Sequence, residues 1–368
     1  MKIELKTADL LSDLQSAARV ASTRSAVQAL AGVQVVAEEA VELRATDVEV
    51  GLRLPLRAEV SRPGTVVLPA RLMLDVARSL PADEVSLEAR ATEQDVEVVS
   101  GSATFHIRTL RAEDFPPLPD ANDEDAVAVP AAEFVATIAQ VARSASRDET
   151  RPVLTGILVS ASGSELRMVA TDSYRLSIKE TKLEQPLAGE LEANVPARAL
   201  QELARLVAQL EAQELRVSAR QNQIVFAIDG AVLSSRLIEG QFPNYRQLLP
   251  DSVEHELRLA GGEFAEVVRR ISLLAQKNAP LRLGFREGEV TVSAQTPDVG
   301  EASEAVPVDF HGESFEIGFN PEFLRDGLES VESGDLVLKL ISPLRPGLIE
   351  SADQGGFVYL VMPIRLNV

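Results

Sequence analysis

The chain has 368 residues, of which 45% are hydrophobic and 25% are charged, a composition typical of a globular protein with more than one hydrophobic core. It contains no cysteine, which excludes disulfide bonds and thiolate metal sites. The formal net charge is −20, from 36 Lys and Arg against 56 Asp and Glu, and this balance by itself disfavours contact with a polyanion.

The first six residues, Met1-Lys2-Ile3-Glu4-Leu5-Lys6, alternate charged with apolar side chains and do not have the pattern of a secretory signal. No apolar run approaches the roughly 20 residues that a membrane-spanning helix needs. The sequence therefore predicts a cytoplasmic protein that does not associate with a membrane.

Helices and strands are predicted to alternate along the chain. Apolar residues at helical spacing, or a proline at a helix start, predict helices at residues 10–22, 71–79, 133–147, 195–207, 263–277 and 321–331. Runs rich in β-branched residues predict strands that include 42–50, 165–178, 215–228, 288–294 and 336–341. This order favours an α+β fold in which helices cover one face of antiparallel sheet.

The same short patterns return at a spacing of about 125 residues. Leu68-Pro69-Ala70-Arg71 returns as Val195-Pro196-Ala197-Arg198, and a weaker copy, Asn320-Pro321-Glu322, follows later in the chain. Ala45-Thr46-Asp47 matches Ala170-Thr171-Asp172, and Asp114-Phe115-Pro116 resembles Gln241-Phe242-Pro243. Because a fixed period indicates a repeated structural unit, we predict three domains, each with two helices against antiparallel sheet, at residues 1–120, 121–250 and 251–368.

Charge is distributed unevenly between the predicted helices and the rest of the chain. The predicted helices carry 11 Lys and Arg against 9 Asp and Glu, so the acidic excess lies outside them. Helices that share one surface would then make that surface mildly basic and leave the remaining surface acidic. The alternative is that these arginines are solvated and form local ion pairs.

Signatures of catalysis and of metal binding are missing from the sequence. His106, His255 and His311 are far apart and have no metal-ligand spacing. Phosphate-binding loops, dinucleotide-binding loops and nucleophile elbows are not found, and the acidic stretch 120–125 lacks the glycine of a calcium loop. We predict a non-enzymatic protein without metal or cofactor, although spacing alone leaves a pair of carboxylates for hydrolysis open.

Several segments carry a family resemblance over the whole chain. They are Leu68-Pro69-Ala70-Arg71, Asp114-Phe115-Pro116, Arg151-Pro152-Val153-Leu154-Thr155-Gly156, Val169-Ala170-Thr171-Asp172-Ser173-Tyr174-Arg175-Leu176, Phe242-Pro243-Asn244-Tyr245-Arg246 and Val361-Met362-Pro363-Ile364-Arg365-Leu366. In this order and at this spacing, the chain resembles the β subunit of bacterial DNA polymerase III, the β sliding clamp family. The resemblance implies a head-to-tail homodimer that forms a six-domain ring around duplex DNA, with twelve helices inside and sheet outside.

The resemblance and the helix charges together predict where such a ring meets DNA and where it closes. The expected sequence-independent DNA contacts are Arg19, Arg24, Arg71, Arg143, Arg147, Arg198, Arg205, Arg269 and Lys277. Arg24, in the loop after the first helix, is included because it matches a basic position of the family. By resemblance, Phe105 and Ile107 of one chain should meet Leu273 and Leu274 of the other.

The resemblance also implies a pocket that binds short peptides of the replicative polymerase, the clamp loader and other partners. Its expected lining is Leu154, Thr171, Ser173, Tyr174, Arg175, Leu176, Pro243, Leu248, Val361, Met362, Pro363, Ile364, Arg365 and Leu366. Leu154, Leu176, Pro243, Val361 and Met362 should form the apolar cavity, and Arg175 should meet polar groups of the peptide. Gln247, Tyr174 and the terminal Asn367-Val368 depart from many relatives, which leaves the fine peptide preference open.

Two other functions remain as alternatives. One is a scaffold of three related domains that binds proteins without encircling DNA. The more distant one is a carboxylate-based hydrolase, which would show turnover that is lost when two carboxylates are replaced.

Overall fold

The computed structural model describes residues 1–22, 25–121, 126–187, 189–220, 222–275, 279–331, 334–353 and 355–366. Arg24, Lys277 and Asn367-Val368, which the sequence analysis singled out, lie outside these residues, as does most of the acidic stretch 120–125. Within the described part of the chain, no helix combines the length and the apolar character needed to cross a membrane.

The order of helices and strands repeats three times. The first repeat contains β1 (Lys2–Lys6), α1 (Thr7–Val20), β2 (Gly32–Ala37), β3 (Val41–Thr46), β4 (Val50–Leu56), β5 (Glu59–Arg62), β6 (Gly64–Pro69), α2 (Ala70–Ser79), β7 (Glu84–Arg90), β8 (Asp95–Ser100) and β9 (Ala103–Arg108). The second contains β10 (Val127–Pro130), α3 (Ala131–Val141), β11 (Gly156–Ser162), β12 (Glu165–Thr171), β13 (Arg175–Lys182), β14 (Leu191–Pro196), α4 (Ala197–Leu210), β15 (Glu214–Arg220), β16 (Gln223–Ile228) and β17 (Ala231–Arg236). The third contains β18 (His255–Ala260), α5 (Gly261–Ile271), β19 (Leu281–Arg286), β20 (Glu289–Thr296), β21 (Gly300–Pro307), β22 (Phe315–Phe319), α6 (Pro321–Ser330), β23 (Asp335–Leu340), β24 (Gly347–Ser351) and β25 (Phe357–Val361).

In the described part of each repeat there are therefore two α-helices among antiparallel strands, which confirms the predicted α+β architecture. The backbone repeats in detail as well. Val48, Ser173 and Asp298 all have positive φ, at 81°, 80° and 65°, and they are spaced 125 residues apart. Such a conformation is uncommon for residues other than glycine, so the same turn occurs once in each repeat.

The chain forms two compact units, and the first consists of Met1–Ala132 and Arg198–Leu237. It contains a five-stranded sheet in the order β5-β1-β7-β8-β9 and an eight-stranded sheet in the order β10-β15-β16-β17-β4-β3-β2-β6. The eight-stranded sheet joins two repeats, because β17 of the second pairs with β4 of the first. Buried apolar residues of α1, such as Leu10 and Leu14, pack in the core of the first unit.

The second unit consists of Glu133–Ala197 and Ile238–Val368. Its eight-stranded sheet has the order β14-β11-β12-β13-β25-β24-β23-β18, and its four-stranded sheet has the order β21-β20-β19-β22. The eight-stranded sheet again joins two repeats, through the pairing of β13 with β25. One apolar core contains α5, α6 and strands of the third repeat, with Phe264, Phe285 and Phe319 fully buried.

Several predicted boundaries were wrong. Pro69 and Pro196 are the last residues of strands β6 and β14 and directly precede α2 and α4, whereas Pro321 lies in the first turn of its helix. There the side chain of Asn320 accepts hydrogen bonds from two backbone N–H groups, which caps the helix. The helix predicted at 133–147 ends at Val141, and the one predicted at 263–277 ends at Ile271, since both tighten into short 3-10 turns.

The predicted strands 165–178 and 215–228 each fall on two strands, β12 with β13 and β15 with β16, and a turn joins the first pair. A continuous apolar or alternating run does not reveal such a turn when the residues in it are also compatible with a strand. The break within 165–178 is important for function, because it contains Asp172, Ser173 and Tyr174.

Candidate functional site

The turn that joins β12 to β13 in the second unit is held by hydrogen bonds from side chains. The hydroxyl of Thr171 donates to the carbonyl of Arg175 at 2.6 Å, and the carboxylate of Asp172 accepts from the N–H groups of Tyr174 and Arg175 at 2.9 and 3.1 Å. Thr and Asp commonly stabilise turns in this way. The turn leaves the side chain of Tyr174 60% exposed.

The C-terminal segment lies beside this turn. The N–H of Met362 donates to the carbonyl of Tyr174 at 2.9 Å, and the N–H of Ile364 donates to the carbonyl of Gly318 at 2.7 Å. A Cβ atom at Gly318 would lie 2.6 Å from the Cδ2 atom of Leu366, so the absence of a side chain there lets the segment lie across β22. Met362 is 41% exposed, and Pro363, Ile364 and Leu366 are partly buried.

A small apolar cluster supports this surface from below. It contains Val169, Leu176, Ile178, Tyr245, Leu348 and Leu360. Tyr245 opens the 3-10 helix Tyr245–Leu248, which places Leu248 at the surface with half of its side chain exposed. Three exposed large apolar side chains of the second unit, those of Tyr174, Leu248 and Met362, thus belong to the predicted pocket, and we call them the groove residues.

The residues of the predicted apolar lining differ in burial, and their place in a pocket stays a prediction. Leu154, Leu176 and Val361 are buried, and Val361 belongs to the main core of the second unit. Their side chains stabilise the fold beneath the surface, whereas Met362 and Pro243 are exposed. Thr171 is buried and Ser173 is exposed, while Arg365 is also exposed. Burial depends on tertiary packing, which a list of apolar residues does not reveal.

Arg175 was predicted to meet polar groups of a peptide, and the structure shows different partners. Its side chain is only 6% exposed. Its guanidinium donates to Asp172 from Nε at 2.9 Å and to Asp326 from Nη1 at 2.5 Å. Burial opposes the charge, but Tyr359 and the hydrogen bond to Asp326 outweigh it, so the pKa of Arg175 is raised. Arg175 is therefore an internal ion-pair partner.

Two residues near the groove were missed by the sequence analysis, Phe323 and Asp326 on α6. The ring of Phe323 stacks on that of Tyr174 with 6.4 Å between centroids, and the Cζ atom of Arg175 lies 4.4 Å from the Phe323 centroid. The signal available in the sequence was the capped helix start at Asn320-Pro321, which fixes which face of α6 carries both residues. Their partners Tyr174 and Arg175 lie about 150 residues away along the chain, and no local pattern shows this contact.

The arginines expected to contact DNA are exposed but largely paired. All seven that the structure describes are exposed: Arg19, Arg71, Arg143, Arg147, Arg198, Arg205 and Arg269. Five form ion pairs, namely Arg19 and Arg205 with Glu202, Arg198 with Asp47, Arg143 with Asp326 and Glu329, and Arg269 with Glu266. Arg71 and Arg147 form none with any residue in the described ranges.

The predicted basic excess on the helices was wrong. With the observed bounds, the six α-helices contain eight arginines and ten carboxylates. Arg143 and Arg147 lie beyond the end of α3, and Asp9 lies in the first turn of α1. The balance was small enough for these shifts to reverse it.

A local concentration of positive charge nevertheless exists in the first unit. A cleft of about 580 Å³ is lined by Gln15, Ala18, Arg19, Arg71, Leu74, Asp75 and Arg78, from α1 and α2. Three arginines here face one carboxylate. Arg78 was not among the predicted contacts, although it follows Arg71 by about two helical turns, which places both on one face of the helix.

Of the residues expected at a dimer seam, Phe105 and Ile107 lie on an edge strand, and Leu273 and Leu274 lie in the 3-10 helix Ser272–Leu274. β9 is an edge of the five-stranded sheet, and β21 is an edge of the four-stranded sheet, within the described residues. Phe105 on β9 is half-buried, Leu273 is 82% exposed, and Leu274 packs partly against the core of the second unit. Ile107 is only 3% exposed in the single chain, so its side chain belongs to the core of the first unit.

No group of three or more His, Asp or Glu side chains in the described residues is arranged to hold a metal ion. His255 is instead packed between Phe310 and Phe315, with ring centroids 5.2 and 5.3 Å apart.

Comparisons with known proteins cover the whole chain. Family models for the DNA polymerase III beta subunit match the N-terminal domain at residues 1–119, the central domain at 128–244 and the C-terminal domain at 246–365. The beta sliding clamp of Streptomyces coelicolor is 34% identical over 383 residues, and that of Synechococcus elongatus is 31% identical over 376 residues. In both cases all of this chain and all of the relative are covered.

Solved structures agree with this relationship. The sliding clamp of Bacillus subtilis superimposes with a TM-score of 0.91 at 27% identity, and the Pseudomonas aeruginosa clamp bound to griselimycin superimposes with a TM-score of 0.90 at 28% identity. Each comparison covers 100% of both chains. The repeated sheet and helix pattern, the family models and these relatives lead to one conclusion: the chain belongs to the DNA polymerase III β subunit family, the β sliding clamps.

Proposed function

We propose that this protein is a non-enzymatic processivity clamp that acts in the cytoplasm. Two chains close head to tail into a six-domain ring around duplex DNA, and the groove residues tether the replicative polymerase, the clamp loader and other proteins. The three domains are proposed to span residues 1–120, 121–250 and 251–368, bounds that remain predictions. The single observation that carries the proposal is the strand pairing that joins successive repeats.

The same type of strand pairing joins successive repeats. β17, the last strand of the second repeat, pairs with β4, and β25, the last strand of the third, pairs with β13. By the same rule, β9, the last strand of the first repeat, requires β21 of the third. Both strands are sheet edges in the single chain. An unpaired edge favours pairing with another chain, so a second copy supplies the missing neighbour twice in a two-fold ring.

The internal seams also predict the register of the seam between chains. Leu233 pairs with Leu52, and Tyr359 pairs with Ser177. The equivalent residues on β9 and β21 are Phe105 and Ala302, which both face the interior side of their sheets. We therefore expect Phe105 of one chain opposite Ala302 of the other, with Ile107 opposite Gly300. Leu274 lies 3.9 Å from the Cβ position of Gly300, which supports a place for it at this seam.

The absence of native cysteine makes this register directly testable. Paired residues in antiparallel strands have Cα atoms about 4.5 to 5.5 Å apart, within the range that a disulfide spans. Phe105→Cys with Ala302→Cys should give a covalent dimer under mild oxidation, seen on a non-reducing gel. The matched control, Phe105→Cys with Ser303→Cys, places the thiols on opposite faces and should not cross-link. Equal cross-linking in both would contradict the register.

DNA contact in the proposed ring is weak, sensitive to salt and independent of sequence. Arginines that face phosphates carry no base information unless they enter a groove of the DNA. The ion pairs of Arg19, Arg143, Arg198, Arg205 and Arg269 reduce the charge available to phosphates. We therefore expect Arg71 and the cleft around it to contribute most in the first unit, and Arg147 in the second. Arg24 and Lys277 remain predictions from the sequence.

Weak contact is compatible with tethering, because a closed ring cannot leave DNA that has no ends. The decisive experiment is retention after loading. The protein should stay on closed circular plasmid through gel filtration and be lost when the plasmid is linearised. Equal retention on both forms would favour an ordinary DNA-binding protein, and no retention on either would favour the scaffold without DNA.

The partner groove supports tethering by short peptides. Tyr174, Leu248 and Met362 expose apolar surface that a peptide with a glutamine and two or three apolar or aromatic residues could cover. The backbone near Met362 and Ile364 is already hydrogen-bonded to Tyr174 and Gly318, which holds the segment in place before a peptide arrives. Peptides that become ordered on binding lose entropy, so micromolar affinity is expected.

A further inference from the structure

The carboxylate of Asp326 lies between two arginines of the second unit. Its Oδ1 atom accepts from Nη1 of Arg143 at 3.4 Å, and its Oδ2 atom accepts from Nη1 of Arg175 at 2.5 Å. Asp326 is on α6, Arg143 lies just after α3, and Arg175 begins β13. The side chain of Asp326 is mostly buried, so it has little access to solvent as a substitute partner.

The two arginines differ in their surroundings. Arg143 is 46% exposed, also pairs with Glu329, and belongs to the proposed DNA contacts. Arg175 is buried beneath the groove, where its guanidinium lies over the ring of Phe323. Phe323 in turn stacks on the groove residue Tyr174. One carboxylate thus contacts a cation of each proposed site.

We infer that Asp326 couples DNA binding to peptide binding, an inference that rests on the proposed function. A DNA phosphate offers Arg143 several charged oxygen acceptors, and it competes with Asp326 and Glu329 for the guanidinium of Arg143. When Arg143 turns to phosphate, the carboxylate of Asp326 is left to Arg175 alone. Asp326 is a positioning residue, since it acts through Arg143 and Arg175.

The direction of the effect follows from preorganisation. A carboxylate whose charge is no longer shared with Arg143 attracts the guanidinium of Arg175 more strongly, and this guanidinium lies over the ring of Phe323, which stacks on Tyr174. A groove that is ordered before the peptide arrives costs less entropy on binding. DNA therefore tightens peptide binding, and thermodynamic linkage requires that peptide tightens DNA binding by the same factor.

The experiment measures, in the intact dimer, the ratio of the peptide Kd without DNA to the peptide Kd with DNA. Fluorescence anisotropy gives the Kd of a fluorescein-labelled peptide that contains one glutamine and three apolar residues, with and without saturating duplex DNA at low salt. We expect DNA to tighten the wild-type Kd by about five-fold, the lower end of the usual range for coupled sites. In Arg143→Gln and in Asp326→Asn the ratio should fall to about one.

Arg147→Gln is the matched control. Arg147 lies four residues after Arg143, carries the same charge and has no ion pair with any described residue. Arg147→Gln should weaken DNA binding but keep the five-fold ratio. If Arg143 acted only through its charge, Arg143→Gln and Arg147→Gln would change the ratio by the same amount. Should Asp326→Asn fail to fold, the half-exposed Arg143→Gln still tests the coupling.

Two results would overturn the inference. One is a ratio of one in the wild-type protein when both ligands are bound, and the other is an unchanged ratio in Arg143→Gln. Both leave the proposed function intact, because DNA and peptide still bind. A wild-type dimer that binds no peptide under any condition overturns the proposed function and the coupling together.

Discussion

The turn between β3 and β4 and the turn between β12 and β13 have the same backbone and different roles. In each, a threonine hydroxyl donates to a carbonyl four residues on, and an aspartate accepts from backbone N–H groups. In the first, Asp47 pairs with Arg198 of α4 and Val50 is buried. In the second, Asp172 pairs with Arg175, and Tyr174 is exposed beside Met362.

The repeat thus supplies the scaffold, whereas a few side chains supply the candidate site. Both turns precede a strand that pairs with the last strand of the next repeat. Only after β25 does the chain continue as Met362–Leu366 across Gly318 and so add an apolar rim to the turn. Replacing residues at equivalent positions of the two turns therefore separates stability from partner binding.

The largest expected effect on stability is that of Arg175→Ala. It leaves Asp172 and Asp326 without their shared cation in a buried position, which should cost about 3 to 5 kcal/mol of unfolding free energy. The equivalent Val50→Ala removes only apolar contacts and should cost roughly 1.5 kcal/mol. Urea unfolding followed by circular dichroism measures both values. Equal losses would mean that the buried ion pairs are replaced by solvent at little cost.

Met362→Asp should have the next largest effect, on binding and not on folding. A charge placed among the groove residues opposes burial under an apolar peptide side chain, and peptide affinity should fall by about 2 to 3 kcal/mol, or roughly 100-fold. Anisotropy with the labelled peptide measures the affinity, and ultracentrifugation verifies the dimer. Unchanged affinity in a properly dimeric Met362→Asp protein would place the partner site elsewhere.

The smallest and most discriminating effect concerns the two threonines. Thr46→Val and Thr171→Val each remove a hydroxyl that donates to a carbonyl and accepts from the N–H of Val48 or Ser173, and each should cost about 1 to 2 kcal/mol of stability. Only Thr171→Val should also weaken peptide binding, by a few-fold, because its turn carries Tyr174. Parallel unfolding and anisotropy curves decide the matter. A matching loss of peptide affinity in Thr46→Val would show that the effect is general destabilisation.

Local patterns predicted much of the fold and little of the site's geometry. The spacing of the Leu-Pro-Ala-Arg motifs and of Thr46 and Thr171 identified the repeats, because each repeat reuses the same turns and helix starts. The exposed groove residues Tyr174, Leu248 and Met362 were all among the predicted pocket residues. The roles of Leu154, Leu176 and Val361 beneath the surface were not predictable, since apolar character is shared by core and groove.

The sequence by itself determined the α+β class, the three repeats and the family, because helical and strand periodicity, proline positions and motif spacing are local properties that survive in any tertiary context. Tertiary structure alone decided that Arg175 is an internal ion-pair partner and that Asp326 meets both Arg143 and Arg175. These features depend on side chains about 150 to 180 residues apart along the chain, and only the pairing of β13 with β25 and the packing of α6 bring them within hydrogen-bonding distance.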